Sequence, residues 1–240
     1  SLASLGDPEE FAAQVKAHDD KIQELFGQKP KVFRNTELIY SDDIASMVAA
    51  MGFKGAITDG AKHILGWKSP NYVYASSAAP KLKLLLKNSK LSDDISFRFS
   101  NPEWPGYPLM ADKYINHIAS CPDEEQVVNI FMELSALGIA QPLSSHILDF
   151  MKALPYFAEQ RGLQWATPTE VCDMFPSVGA LDVPDTLSWV DEERDCSVWL
   201  GNQMQREAFN KLYSVADSLH IATDPRLLQD WDYLQASNNF

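Results

Sequence analysis

Long apolar runs are missing from this 240-residue chain, and no stretch reaches the length a membrane-spanning helix needs. No membrane partner is therefore expected. Basic residues are scarce: 20 Lys and Arg stand against 33 Asp and Glu, a net charge of −13. That balance argues against nucleic acid, whose phosphates demand a basic footprint, and suits a soluble protein acting on a neutral or cationic ligand. Cysteine is rare. Cys121, Cys172 and Cys196 are odd in number, far apart and outside metal-binding spacing, so they read as reduced thiols and exclude a disulfide framework. The histidines (His18, His63, His117, His146 and His220) are scattered with no H-x-x-x-H or H-E-x-x-H pair, which leaves a metal centre without its usual pattern. G-x-S-x-G, G-x-G-x-x-G and P-loop motifs are absent, so neither a serine triad nor a nucleotide site is indicated, and no cofactor is expected.

What is present is a substantial apolar fraction. Hydrophobic residues make up 45% of the chain, enough for one large core, and the Trp, Tyr and Phe content can furnish a sugar-stacking cleft. The chain opens Ser1-Leu2-Ala3-Ser4-Leu5 with neither Met nor a basic segment, and closes on Ser237-Asn238-Asn239-Phe240. Both ends read as cuts through a longer protein, and a cytoplasmic location is the expectation.

Taken in order, Asp7-Pro8-Glu9-Glu10 starts a helix that Gly27 ends. A short strand follows at residues 31–34, then a helix from Asp42 to Met51, a strand Gly55–Thr58 and a short helix from Gly60 to Leu65. Trp67 to Tyr74 reads as an aromatic loop and Leu82–Leu86 as a strand. Ser92-Asp93-Asp94 reads as the cap of a further helix, Asn101–Pro108 as an irregular loop, and Ala111–Ala119 as a helix. Val127–Met132, the most continuous apolar run, is expected to be a buried parallel strand delivering Glu133. Ser144–Leu154 is amphipathic, Gln164-Trp165-Ala166 reads as a strand, Thr167-Pro168-Thr169-Glu170 as a capping box, and Gly179–Pro184 as a linker. One long helix from Val198 to Leu219 and a last one from Asp224-Pro225 complete the chain. About five strand–helix units predict an α/β fold, but too few strands to close a barrel.

Within this frame Phe33-Arg34-Asn35-Thr36-Glu37-Leu38-Ile39-Tyr40 is the centre of interest. It places a carboxylate at the end of a short strand, just before a helix start, where βα architectures carry their chemistry. Glu133 occupies the corresponding position after the 127–132 run, and glycoside hydrolysis uses such a pair of carboxylates. The alternative reading of Glu37 is an ion pair with Arg34, and of Glu133 a solvated strand end.

The same stretch resembles the motif of glycoside hydrolase family 57, in its α-amylase branch. Gly66-Trp67-Lys68-Ser69-Pro70-Asn71-Tyr72 is similar to that branch's G-W-R-S-P-N-Y, and Leu91–Ser100 to its L-S-D-D-I-A-F-R-F-S. Trp199–Arg206 resembles its W-L-G-N-x-M-Q-R. The resemblance implies part of an incomplete (β/α)7 barrel over residues 1–178, lacking its first strands, and a helical region over 185–240 packed on it. It implies retaining action on α-1,4-glucans or maltooligosaccharides, with Glu37 as nucleophile and Glu133 at the acid/base position. It also implies substrate contacts from Arg34, Asn35, Trp67, Asn71, Tyr72, Asp94 and Arg98. The acid/base segment departs from the family's F-M-D-Y-E-T-F-G-E-H-Q: here Glu133 replaces the Asp, and Ser135, Ile139 and Ala140 replace neighbouring polar groups. The closing L-Q-T-S-D-H-F likewise reads Leu234–Phe240 with Asn238 and Asn239. Reduced activity, or an inactive α-glucan-binding relative, is the expectation these departures carry.

Overall fold

A computed structural model describes residues 1–240. Strands β1 (Val32–Arg34), β2 (Gly55–Asp59), β3 (Tyr74–Ser76), β4 (Lys83–Lys87) and β7 (Ala180–Leu181) form one open sheet in the order β1-β2-β4-β3-β7. The two-residue strands β5 (Leu137–Gly138) and β6 (Gln141–Pro142) pair separately. β1, β2 and β4 run parallel, while β3 is antiparallel to β4 and parallel to β7. The result is an α/β fold with a parallel-dominated sheet that does not close into a barrel.

The central strands are apolar on both faces because both faces are covered. Side chains alternate along a strand, and the register Ala56↔Leu84, Ile57↔Leu85 sends successive pairs to opposite sides. Ala56, Leu84 and Leu86 enter the largest core with Phe11, Ile44 and Val48. Ile57 and Leu85 enter a smaller one with Leu38, Val73, Val171 and Cys172. The C-terminal helices share the largest core: Trp199, Phe209, Tyr213 and Trp231 pack in it. A third core joins the helices Ser89–Ser96, Ala111–Ala119 and Ile147–Gln160. None of the helices is long and apolar enough to cross a membrane.

Local signals account for the starts of several helices. Asp7 accepts from the Glu9 and Glu10 amides to start Pro8–Phe26, and Gly27 at φ 63° ends it. Ser41 caps Asp42–Ala50, and Thr167 with Glu170 forms the capping box of Pro168–Met174.

Five expectations are corrected. Residues 127–132 are extended but form no strand: β4 stops at Lys87, so only Asn129 meets it in a ladder contact. Beyond that point Phe131 N–H turns to the Ser92 hydroxyl. Residues 164–166 are irregular, with Trp165 exposed and no strand in reach to pair with. The 179–184 linker contains β7, which pairs with β3 from far along the chain. Ser92, Asp93 and Asp94 lie inside a helix that Asn88 caps. Finally, the long C-terminal helix is three pieces, Ser197–Leu200, Gln203–Tyr213 and Ala216–His220, because Asn202 accepts from the Gln205 amide and restarts the helix with its own capping box.

Candidate active site

Glu37 follows β1 on the edge formed by the C-terminal ends of the parallel strands. β2 ends there in Asp59 and β4 in Lys87. This is the edge where open α/β sheets bind ligands.

The backbone at Glu37 is left-handed, with φ 49° and ψ 30°, and Leu38 follows at φ 53°. Such conformations cost non-glycine residues roughly 1–3 kcal/mol each and persist only where the surroundings impose them. Residues 187–189 impose them. Tyr40 and Leu187 exchange backbone hydrogen bonds of 3.0 and 2.9 Å, and the Trp189 amide donates to the Glu37 carbonyl at 3.2 Å. The Ser188 hydroxyl donates to the same carbonyl at 2.8 Å. The Glu37 carboxylate is held from the same segment: Trp189 Nε1 donates to Oε2 at 2.5 Å.

Trp189 is fixed in turn. The Lys87 ammonium sits 4.5 Å from the centroid of its ring, a cation–π contact, and Arg194 donates to its carbonyl at 3.0 Å. Lys87 is 3% exposed and pairs with Asp93 at 3.1 Å; pairing is what makes a buried ammonium tolerable. Asp59 is 2% exposed. Its Oδ1 accepts from the Ser89 hydroxyl at 3.1 Å, while Oδ2 lies 3.6 Å from the Arg194 guanidinium and makes no hydrogen bond. Burial pushes the Asp59 carboxyl above the ordinary carboxylate range, against the opposing pull of Arg194, Lys87 and Ser89.

Asp59 and Arg194 also line a cavity of about 840 Å³ with the 60–62 turn, the first turn of Ser89–Ser96, and His117. Gly60 makes its geometry possible: a Cβ there would stand 2.5 Å from the Lys87 carbonyl. No group of three or more His, Cys, Asp or Glu side chains is placed to hold a metal ion.

Of the residues singled out in the sequence, Glu37 alone joins this network. Glu133 is exposed, and its carboxylate accepts only from the neighbouring Ser135 hydroxyl at 2.8 Å. Arg34 is exposed at the end of β1. Asn35 is buried: its Oδ1 accepts from the Thr36 amide and its Nδ2 donates to the Ser4 hydroxyl. Asn71, also buried, donates to Glu125, accepts from Asn88, and takes the Gln126 and Val127 amides on its carbonyl. It ties the aromatic loop to the 125–127 segment. Trp67 is 93% exposed, between the cavity-lining Gly66 and Lys68, and Tyr72 packs partly against the largest core. Asp94 is buried and accepts at 2.7 Å from Arg98, which lies just beyond the end of its helix.

Residues 1–184 match the model of glycosyl hydrolase family 57. The chain belongs to this family. It is 45% identical over 219 residues to a Methanocaldococcus jannaschii protein named "Putative alpha-amylase", covering 90% of this chain and 46% of that one. The chain thus spans about half the length of this family 57 relative. Solved structures share the fold. The 4-α-glucanotransferase of Thermococcus litoralis superposes with a TM-score of 0.60 at 14% identity, over 90% of this chain and 33% of that one. The family 57-type branching enzyme of Pyrococcus horikoshii gives 0.64 at 13% identity, over 87% of this chain and 50% of that one. The exo-type maltose-forming amylase of Pyrococcus sp. ST04 gives 0.61 at 17%, over 84% and 40%.

Within this family 57 chain, sequence reasoning missed Asp59, Lys87, Asp93, Trp189 and Arg194. A signal existed for two of them, since Asp59 and Lys87 each stand directly at the end of a largely apolar run. Trp189 and Arg194 had none: Trp189 lies 152 positions from Glu37, and only the folded chain joins them.

Proposed function

We propose that the protein is a glucan-active glycoside hydrolase that cleaves α-1,4-glucans with retention, with Glu37 as nucleophile and Glu133 as acid/base. The observation carrying the reading is Glu37 itself: a strained glutamate at the ligand-binding edge, its Oε2 held by the Trp189 indole and its Oε1 without a partner. Support comes from the family and from the amylase, glucanotransferase and branching-enzyme names of its relatives.

The chemistry follows the two-carboxylate scheme. Glu37 Oε1 attacks the anomeric carbon as the bond to the leaving oxygen breaks, and the Glu133 carboxyl gives that oxygen its proton. Water then attacks the glycosyl ester, Glu133 takes the water's proton, and Glu37 departs as carboxylate. The Trp189 N–H stabilises the charge that Glu37 regains in this second step.

Turnover is expected to be low. The longer arm of Glu133 moves its carboxyl about 1 Å from where an Asp would place it, and such a displacement can cost about a hundredfold. The exposed, locally bonded Glu133 favours a second reading, an inactive α-glucan-binding relative. One experiment separates them. Maltooligosaccharide is added to the full-length protein and the anomer released is followed by NMR. Release of the α-anomer first is expected, the β-anomer first overturns retention, and binding without release selects the second reading.

A further inference from the structure

The cavity beside Asp59 reverses the charge of the chain. Of 20 Lys and Arg and 33 Asp and Glu in the sequence, it collects Lys62, Lys68, Lys90 and Arg194 but only Asp59 and Glu192, with His63 and His117 beside them. A cluster of one sign in a concave site raises the local concentration of the opposite sign, and here the surrounding protein is strongly acidic.

The cations are free to act on a ligand. No carboxylate pairs with Lys62, Lys68 or Lys90; the ion pairs of the chain lie elsewhere, apart from Arg194 with Asp59. The helix Ser89–Ser96 opens on the same cavity through Ser89 and Lys90, and its cap, Asn88, takes only the Leu91 amide. Helix starts of this kind favour anions. At the back of the cavity Asp59 is buried, its Oδ1 on the Ser89 hydroxyl and its Oδ2 facing the Arg194 guanidinium at 3.6 Å. At the rim Trp67 is 93% exposed beside two lining residues, an aromatic face of the sort sugars stack on. The volume of about 840 Å³ is within the range of ligand sites.

From these features we infer that the cavity is a subsite for a saccharide carrying a phosphate ester, the phosphate on Lys62, Lys68 and Lys90 and the sugar ring against the exposed face of Trp67. Net charge alone pointed to a neutral or cationic ligand; the local arrangement points the other way. The inference rests on the glucan-active reading for its sugar component.

Calorimetric titration of the full-length protein with glucose 6-phosphate, glucose and inorganic phosphate tests it. Glucose 6-phosphate is expected to bind at least about tenfold more tightly than either component, more weakly as salt rises from 50 to 200 mM. Lys62→Gln combined with Lys90→Gln removes that tenfold while glucose binding is unchanged. Should inorganic phosphate bind as tightly as glucose 6-phosphate, the site is for an anion only and the proposal falls. It also falls if glucose and its phosphate bind alike, or if none binds. Maltooligosaccharide turnover, measured in parallel, keeps the two readings apart. Turnover without phosphosugar binding sinks this subsite alone, and phosphosugar binding without turnover sinks hydrolysis alone.

Discussion

Glu37 and Glu133 begin from similar local sequence, each a glutamate after an apolar extended stretch, and end in opposite settings. Glu37 is gripped by residues 187–189 through its carbonyl and its carboxylate. Behind that grip stand Lys87, Asp93, Asp59 and Arg194. Glu133 is exposed, with a single partner two residues away. The difference lies in the surroundings of each backbone. β1 is paired along its length with β2, and the turn that follows it, which carries Glu37, is pinned by residues 187–189. The 127–132 segment touches the sheet at Asn129 alone, and no strand pairing sets the direction in which Glu133 emerges. Preorganisation, which supplies much of a site's power, is concentrated at one carboxylate.

The sharpest way to break this comparison is Glu37→Gln, which keeps shape and hydrogen-bonding size but removes the carboxylate proposed as nucleophile. Maltooligosaccharide turnover is expected to drop by about 10⁴-fold or more, with circular dichroism unchanged. An equal rate in the variant would show that the gripped glutamate is not the reacting one.

Glu133→Gln comes next. A proton donor contributes about 10²–10⁴-fold, and the loose setting of Glu133 places it at the lower end. The loss should be confined to maltooligosaccharides, and aryl glycosides with good leaving groups should be cleaved nearly as before. A uniform loss on both substrates would remove Glu133 from the acid role.

Trp189→Phe sharpens the contrast from the other side, since it keeps the ring over Lys87 and deletes the N–H. A hydrogen bond to a charged group is worth about 1.5–3 kcal/mol, so kcat should fall by about 10- to 100-fold with KM little changed.

The smallest effect concerns stability. Burial raises the Asp59 carboxyl, so the folded state holds its proton more tightly than the unfolded state does. Stability contributed by this group is therefore lost as pH rises from about 4, the unfolded value, through the raised folded value. Asp59→Asn should remove that loss, so that its stability relative to the parent protein, measured by urea unfolding, grows as pH rises through this range. A variant that instead falls behind the parent with rising pH would mean that the charge pairing with Arg194 outweighs burial.

Much of this was legible in the sequence where the cause is local. The caps at Asp7, Ser41 and Thr167 depend on side chains within three residues of the amides they satisfy. Glu37 stood out because a short apolar strand ends beside it. Pairing over distance was not legible. β7 has two residues and exists only because β3 lies beside it, so it reads as a linker. The run 127–132 carries the apolar content of a strand, yet the end of β4 at Lys87 denies it a partner. Trp189 looked like one aromatic among several until the fold placed its indole on Glu37. The net charge of the chain, an average, concealed the basic cavity entirely.

The left-handed bend at Glu37 and Leu38 has a consequence in time as well as in space. During synthesis β1, β2 and β4 emerge long before residues 187–189, and contacts of such long sequence separation form late. Until that segment arrives, the bend is held only by its own turn hydrogen bonds and by Thr58 on the Leu38 carbonyl, and the Glu37 carbonyl and carboxylate lack their partners. A nascent chain stopped short of residue 187 would carry Glu37 without the contacts that fix its carbonyl and carboxylate, so its final geometry waits for the C-terminal part to be made and to dock.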